Sequence, residues 1–333
     1  MRADGASTRR RLHVVATGRS RRGPALRASG TVWLLALAAI GYFTGARADD
    51  ATPIVPGRGV KPFVLGDRPF TATSSWNTPI ASNARFARIR WPSRALFGVA
   101  WSSYSPAIHI TSALDPVVAV DYPASWGNPA GTLQLHLSAD VDGAPGTDGE
   151  VLVIDGEIVH NFWQFKRQST VKATAQSYAA TNLLTGDGWG RASPFLGAGI
   201  VAAGASQLAG LLVQAETDRG EIEHALQIAV DAAYAKPGRT GAAISSDGGN
   251  RHGLVREGQR LGVPAAVRMP RGLSPLGQKV FRAYQRYGAF VIDVADGVTN
   301  LRAQSNAYDE ATIAALQVDL GRISRLLQRV KKP

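Results

Sequence analysis

Cysteine is absent from the chain. Thiol nucleophiles, thiolate metal sites and disulfides are therefore excluded, and core packing alone must hold the fold. No HExxH or HxxxH spacing, Gly-x-Ser-x-Gly elbow, P-loop or dinucleotide fingerprint occurs. Zinc-protease, esterase, nucleotide and redox readings thus have no motif behind them. No obligatory cofactor or transition metal is expected. Internal repeats and low-complexity tracts are missing as well. Acidic residues are scarce at the start, where Asp4 stands alone against nine arginines in the first 47 positions.

That basic stretch precedes a short apolar run, Thr31 to Phe43 (TVWLLALAAIGYF), and a small-x-small site, Ala46-Arg47-Ala48. This is the polarity of an export signal, and the run is shorter than the roughly 20 residues of a membrane span. Residues 1–48 are read as a signal peptide, with an uncleaved N-terminal anchor as the alternative. The expected location is periplasmic or secreted, with membrane contact only through an uncleaved leader. Cleavage after Ala48 leaves 28 basic and 24 acidic residues, so the net charge falls from +12 to +4. A nucleic-acid partner is therefore not expected, and the mature chain is read as a monomer.

Residues 49–70 carry four prolines and three glycines without periodicity and read as an extended linker. From 71 to 305 the pattern is mainly that of short strands: 106–111, 116–121, 132–138, 150–155, 158–167, 170–180 and 221–230 are rich in β-branched or aromatic residues and bounded by turn formers. Asp155-Gly156-Glu157 reads as a hairpin turn. The pattern predicts an antiparallel β-sandwich or jelly roll with C-terminal helices. Helices are expected over 206–217, from Ser274-Pro275 to Gly288, and over 309–330 within a C-terminal amphipathic segment, 306–333. A hairpin is expected across Asp296-Gly297.

The segments SSWNTPI (74–80), GTDGEVLVID (146–155), HNFWQF (160–165), SPFLGAG (193–199), RGEIEHALQIAV (219–230) and SPLGQKVFRAYQRYGAFVID (274–293) span most of the mature chain. In this order they resemble a family of secreted bacterial β-rich proteins whose function is largely unassigned. The resemblance implies a β fold and a cell-envelope or extracellular glycan as the subject.

Six tryptophans follow the leader, all in the first half of the mature domain. Indole stacks on the C–H faces of sugars, so Trp76, Trp163 and Trp189, with Asn77 and Arg191, are candidate polysaccharide-binding residues. Core packing is the competing role for each tryptophan. Glycoside hydrolysis needs two carboxyl groups, one protonated and one ionised. Asp148 and Glu150 share one face at the start of a strand, and Glu221 and Glu223 share a face of another, which makes Asp148 and Glu223 candidate acids. His224 reads either as a hydrogen-bonded core histidine or as part of a cleft with His160 and Tyr178.

That trio suggests the alternative of a lyase that cleaves a uronate-containing glycan by β-elimination, with a His or Tyr base. Gln134-Leu135-His136 is loosely similar to the Gln-x-His element of jelly-roll polysaccharide lyases. A non-catalytic glycan-binding envelope protein is the third reading. Gly186–Arg191 and Ser246–Asn250 are Gly- and Asp-bearing loops suited to turns or to a structural calcium. The leading expectation is an exported glycoside hydrolase acting on an envelope or secreted polysaccharide.

Overall fold

The computed structural model describes residues 63–190 and 193–331. The leader, nearly all of the linker and Arg191 lie outside the described residues. The protein is mainly β, with its strands distributed over several sheets.

Alternation of side chains along the strands builds the layers. In the fully buried run VLVI of Val151–Asp155, Val151 and Val153 join Val118, Val120 and Leu135 in one apolar cluster. Leu152 and Ile154 face the other way, into a cluster with Phe290 and Ile292. The strand therefore belongs to a middle sheet, with Ser177–Asn182, Ile158–Trp163 and Ala107–Ile110. One face of this sheet packs on a second four-stranded sheet made of Gly131–His136, Val117–Tyr122, Lys172–Thr174 and Lys166–Arg167.

The other face packs on a seven-stranded sheet. Its order is Arg85–Arg88, Gln328–Lys331, Arg260–Gly262, Ala289–Ala295, Leu226–Asp231, Thr299–Arg302 and Phe97–Ala100. The far side of that sheet buries Leu226, Ile228, Val230 and Val291 against helices Pro275–Arg286 and Glu310–Ile323 through Val280, Phe281, Tyr284, Leu316 and Leu320.

Local signals are realised where they act over a few residues. Asp155 lies opposite Ile158 across the expected hairpin. Ser274 caps Pro275–Arg286, its hydroxyl accepting from the Gly277 N–H at 3.0 Å.

Four expectations are corrected. First, the sheets are mixed, not purely antiparallel: Leu226–Asp231 runs parallel to Ala289–Ala295, Thr299–Arg302 parallel to Phe97–Ala100, and Ala107–Ile110 parallel to Val151–Asp155. Second, Ala289–Ala295 and Thr299–Arg302 are strands but not a hairpin. Leu226–Asp231, buried at every position, sits between them and needs a neighbour on each side. Third, residues 206–217 are not one helix; only Gln214–Arg219 is helical. Gly210 has φ +76°, and a Cβ there would lie 2.6 Å from the Trp76 ring, so the chain turns where the leucine spacing suggests it continues. The strand expected from 221 likewise starts only at Leu226. Fourth, the last helix ends at Ile323, and Gln328–Lys331 becomes a strand between Arg85–Arg88 and Arg260–Gly262. Residues 306–331 thus share the sheet and core of the domain.

Gly288 (φ +76°) turns the chain from helix Pro275–Arg286 into strand Ala289–Ala295, and a Cβ there would lie 2.1 Å from the Leu261 carbonyl oxygen. Gly288→Ala is expected to lose at least about 1–3 kcal/mol, read as a lower urea midpoint with an unchanged slope.

Candidate functional site

Between the middle sheet and the seven-stranded sheet the apolar packing gives way to a buried polar seam. The Asn161 side-chain oxygen accepts from the Gln207 N–H at 2.8 Å and from the Ser206 hydroxyl at 3.2 Å. Gln227 donates to the Gln207 carbonyl at 2.7 Å, and the Gln207 amide donates to Glu150 Oε1 at 2.5 Å. Arg302 Nη2 donates to Glu150 Oε2, and Arg302 Nε donates to the Tyr104 carbonyl at 3.2 Å. Glu150 and Arg302 are 4% and 2% exposed. Burial by itself would lower the guanidinium; Glu150 and then Asp293 outweigh it and hold Arg302 above its ordinary value.

The seam opens into two cavities of about 470 and 700 Å³. Both are lined by Asp148, Glu150, Asp247, Asp293 and Val294, so they form one groove. Trp126 and Trp163 stand on one wall with ring centres 5.5 Å apart and planes tilted by 48°. Trp126 is 60% exposed, and Trp163 Nε1 donates to Asp148 Oδ1 at 3.3 Å. Tyr104, Asp296, Asn300 and Arg302 line the other end.

Two carboxyl groups here depart from ordinary carboxylates. Burial pushes Asp293 up to about 7; Arg302 opposes this, while Asp247 and Glu150 add to it. Burial pushes Glu257 up to about 10, reinforced by Asp247 and then Asp293. Glu257 is 1% exposed and faces Asp247, whose side chain raises it further while the Asp247 backbone opposes this. The group facing it is another carboxyl, so Glu257 keeps its proton and donates it to Asp247. Among the described residues no three His, Asp or Glu side chains are grouped to hold a metal ion.

Asp148 and Trp163 lie in this groove as candidates from the sequence. The other described candidates are elsewhere. His160 Nδ1 and the Tyr178 hydroxyl meet at 2.7 Å, but both side chains are buried and Tyr178 stacks on Phe162 at 5.0 Å. Burial lowers His160 to about 4 and raises Tyr178, so the imidazole and phenol are both neutral at pH 7. His224 does not join them: its Nε2 pairs with Glu216 Oε2 at 2.9 Å and its Nδ1 with the Ala225 carbonyl at 2.9 Å. Burial works to lower His224, and Glu216 more than offsets it, leaving the imidazole above its usual value. This is the core histidine role.

Glu223 is exposed in the loop before Leu226–Asp231, and Glu221 forks onto Arg282 with two bonds of 2.8 Å. Trp76 is 1% exposed and stacks on buried Trp189 at 5.0 Å, so neither indole face is open to a sugar. Asn77 is buried too, donating to the Pro69 and Thr71 carbonyls at 2.7 and 2.9 Å. Gln134 and His136 lie on the outer sheet, where the His136 ring bonds the Asp115 carbonyl at 2.7 Å. In the 186–190 loop, Asp187 accepts from the Trp189 N–H at 2.8 Å, which is turn duty.

Sequence reasoning missed Asp293, Glu257, Arg302 and Trp126 as site residues, and read Asp247 only as part of a turn or calcium loop. One signal was present: Asp293 follows AFVI, an acid placed where an apolar run ends, near the carboxyl end of a strand with a parallel neighbour. Comparison of the chain with protein-family models, with curated proteins and with solved structures finds no match.

Glu150→Gln leaves Arg302 buried without its counter-charge, and a loss of about 3–5 kcal/mol in urea unfolding is expected, with much of it recovered in Glu150→Gln/Arg302→Met. Glu257 holds a proton in the fold that the unfolded chain releases above its ordinary range, so its contribution to stability declines as pH rises from about 4.5 to about 10. Glu257→Gln removes that dependence. Melting temperatures measured from pH 5 to 9 should show the variant gaining steadily on the wild type; a constant difference would contradict the assignment.

Proposed function

We propose that the protein is an exported enzyme that hydrolyses a polysaccharide in this groove. The observation that carries the reading is the placement of Asp293, raised to about 7, and Asp148 along the same groove as the Trp126–Trp163 wall. Glycoside hydrolysis asks for a carboxylic acid that protonates the leaving oxygen and a carboxylate that serves as base or nucleophile. Asp293 takes the first role, because it is partly protonated at neutral pH and reaches the groove. Asp148 takes the second, its position set by Trp163 Nε1. The two tryptophans offer apolar surface for sugar rings. The two four-stranded sheets, which share one core, are read as a small β-sandwich supporting one side of the groove.

A lyase has less support. The His160–Tyr178 pair that would supply its base is buried away from the groove lining, and Arg302, which would neutralise a uronate, is already committed to Glu150. A binding protein without catalysis would use the same tryptophans.

Reducing-end release from a panel of polysaccharides by the purified protein tests the proposal. Asp293→Asn should lower kcat by about 10²–10⁴-fold, and wild-type kcat should fall as pH rises through about 7, where Asp293 loses its proton. Bound glycan with no release by the wild type would reject hydrolysis, and an Asp293→Asn variant at full activity would reject Asp293 as the acid.

A further inference from the structure

Charge is unevenly shared along this chain. After the leader 28 basic residues face 24 acidic ones, yet five neighbouring strands break that balance. Three of them, Arg85–Arg88, Gln328–Lys331 and Arg260–Gly262, end the seven-stranded sheet. The other two, Ala235–Arg239 and Val255–Glu257, pair in parallel and adjoin Arg260–Gly262 through the turn at Gly258 and Gln259. Together the five carry eight arginines and lysines and one acid, Glu257. That acid is buried and keeps its proton at neutral pH, so it offsets none of the positive charge.

A cavity of about 420 Å³ opens among these strands. Lys236, Arg256, Arg329 and Lys331 line it with Gln259, and among the described residues no carboxyl group does. Main-chain carbonyls hold the two guanidinium groups in place: Arg256 Nε donates to Pro237 at 3.0 Å, and Arg329 Nη1 donates to Leu254 at 2.9 Å. Arg85 stands opposite Lys331 in the strand register and carries the positive surface past the cavity. Keeping sheet edges apart accounts for charge on Arg85–Arg88, the edge strand, but not for this convergence. Gln328–Lys331 has a neighbour on both sides, and Lys236 and Arg256 belong to a different sheet.

Like charges gathered around a cavity focus the field there and draw in an anion. Four cations exceed what the single charge of a carboxylate balances. A phosphomonoester brings about two negative charges and three acceptor oxygens, which suit guanidinium and ammonium donors. We propose that this cavity binds a compact multivalent anion, a phosphomonoester or pyrophosphate group, held by Lys236, Arg256, Arg329 and Lys331. It shares no lining residue with the carboxyl-lined groove, so the two sites stand or fall separately.

Isothermal titration calorimetry of the full chain with inorganic pyrophosphate and with acetate tests the inference. Pyrophosphate should bind at least about tenfold more tightly than acetate, and its affinity should drop severalfold between low and physiological salt. Arg256 and Lys331 are exposed, so Arg256→Gln/Lys331→Gln is expected to keep its native circular dichroism and to lose at least about tenfold in pyrophosphate affinity. Lys166→Gln/Arg268→Gln removes the same charge from exposed positions outside the cavity and should bind as the wild type does. If the cavity variant does not fold, the preference of the wild type for pyrophosphate over acetate carries the test. Absence of pyrophosphate binding at millimolar concentration, acetate binding as tightly, or an equal loss in the control variant overturns the inference. Vesicles of phosphatidic acid distinguish the sources of the phosphate. Cosedimentation that the cavity variant loses assigns it to a lipid headgroup, whereas pyrophosphate binding without cosedimentation assigns it to a soluble ester, and either result sustains the site.

Discussion

The contact between Glu150 and Arg302 joins two sheets that the chain builds far apart in sequence. Glu150 precedes a strand of the middle sheet, and Arg302 ends a strand of the seven-stranded sheet. Both charges are almost fully buried, so each depends on the other and on the groups around it: Gln207 on the second carboxylate oxygen, and the Tyr104 carbonyl on the guanidinium. Asn161 and Gln227 hold Gln207 from either side. The price of placing polar groups where an apolar core would pack is offset only while every one of these contacts is made. A structure that depends on such a seam gains a fixed register between its two sheets, and the groove opens where the seam ends.

The same charges set the chemistry of the groove. Arg302 is near enough to Asp293 to resist its protonation, yet burial and the neighbouring Asp247 and Glu150 prevail. Asp247 also bears on Glu257, which burial and these neighbouring carboxyl groups hold protonated. The groove therefore holds, in Asp293, a carboxyl group raised well above the ordinary range beside other carboxyl groups. Differing environments for like groups are what separate an acid from a base in a two-carboxyl mechanism.

What the sequence discloses follows the range of the interactions. Strands 107–110, 117–122, 131–136 and 151–155, the 155–158 turn and the Ser274 cap are set by neighbours within a few residues, and the pattern reads them closely. The insertion of Leu226–Asp231 between two strands that look like a hairpin, and the return of Gln328–Lys331 to the sheet, are decided by burial and by edges that form only in three dimensions. Tryptophan shows the same limit. Trp76 and Trp189 lie more than a hundred positions apart and bury each other, whereas Trp163 shares its neighbourhood with Trp126 at the groove. Asp148 is legible because it stands beside Glu150 in a recognisable strand start. Asp247, Glu257 and Asp293 come from separate segments, and no spacing in the sequence joins them.

Burial and neighbouring carboxyl groups keep a proton partly on Asp293, in the groove, and fully on Glu257, beside Asp247, at neutral pH. Carbon-13 NMR titration of protein labelled at the Asp and Glu carboxyl carbons tests it directly, with Asp293→Asn and Glu257→Gln assigning the resonances. One carboxyl should titrate near pH 7 and be lost in Asp293→Asn, and one should still be protonated at pH 8 and be lost in Glu257→Gln. Titration of every carboxyl group in the ordinary range of about 3.5–4.5 would contradict it.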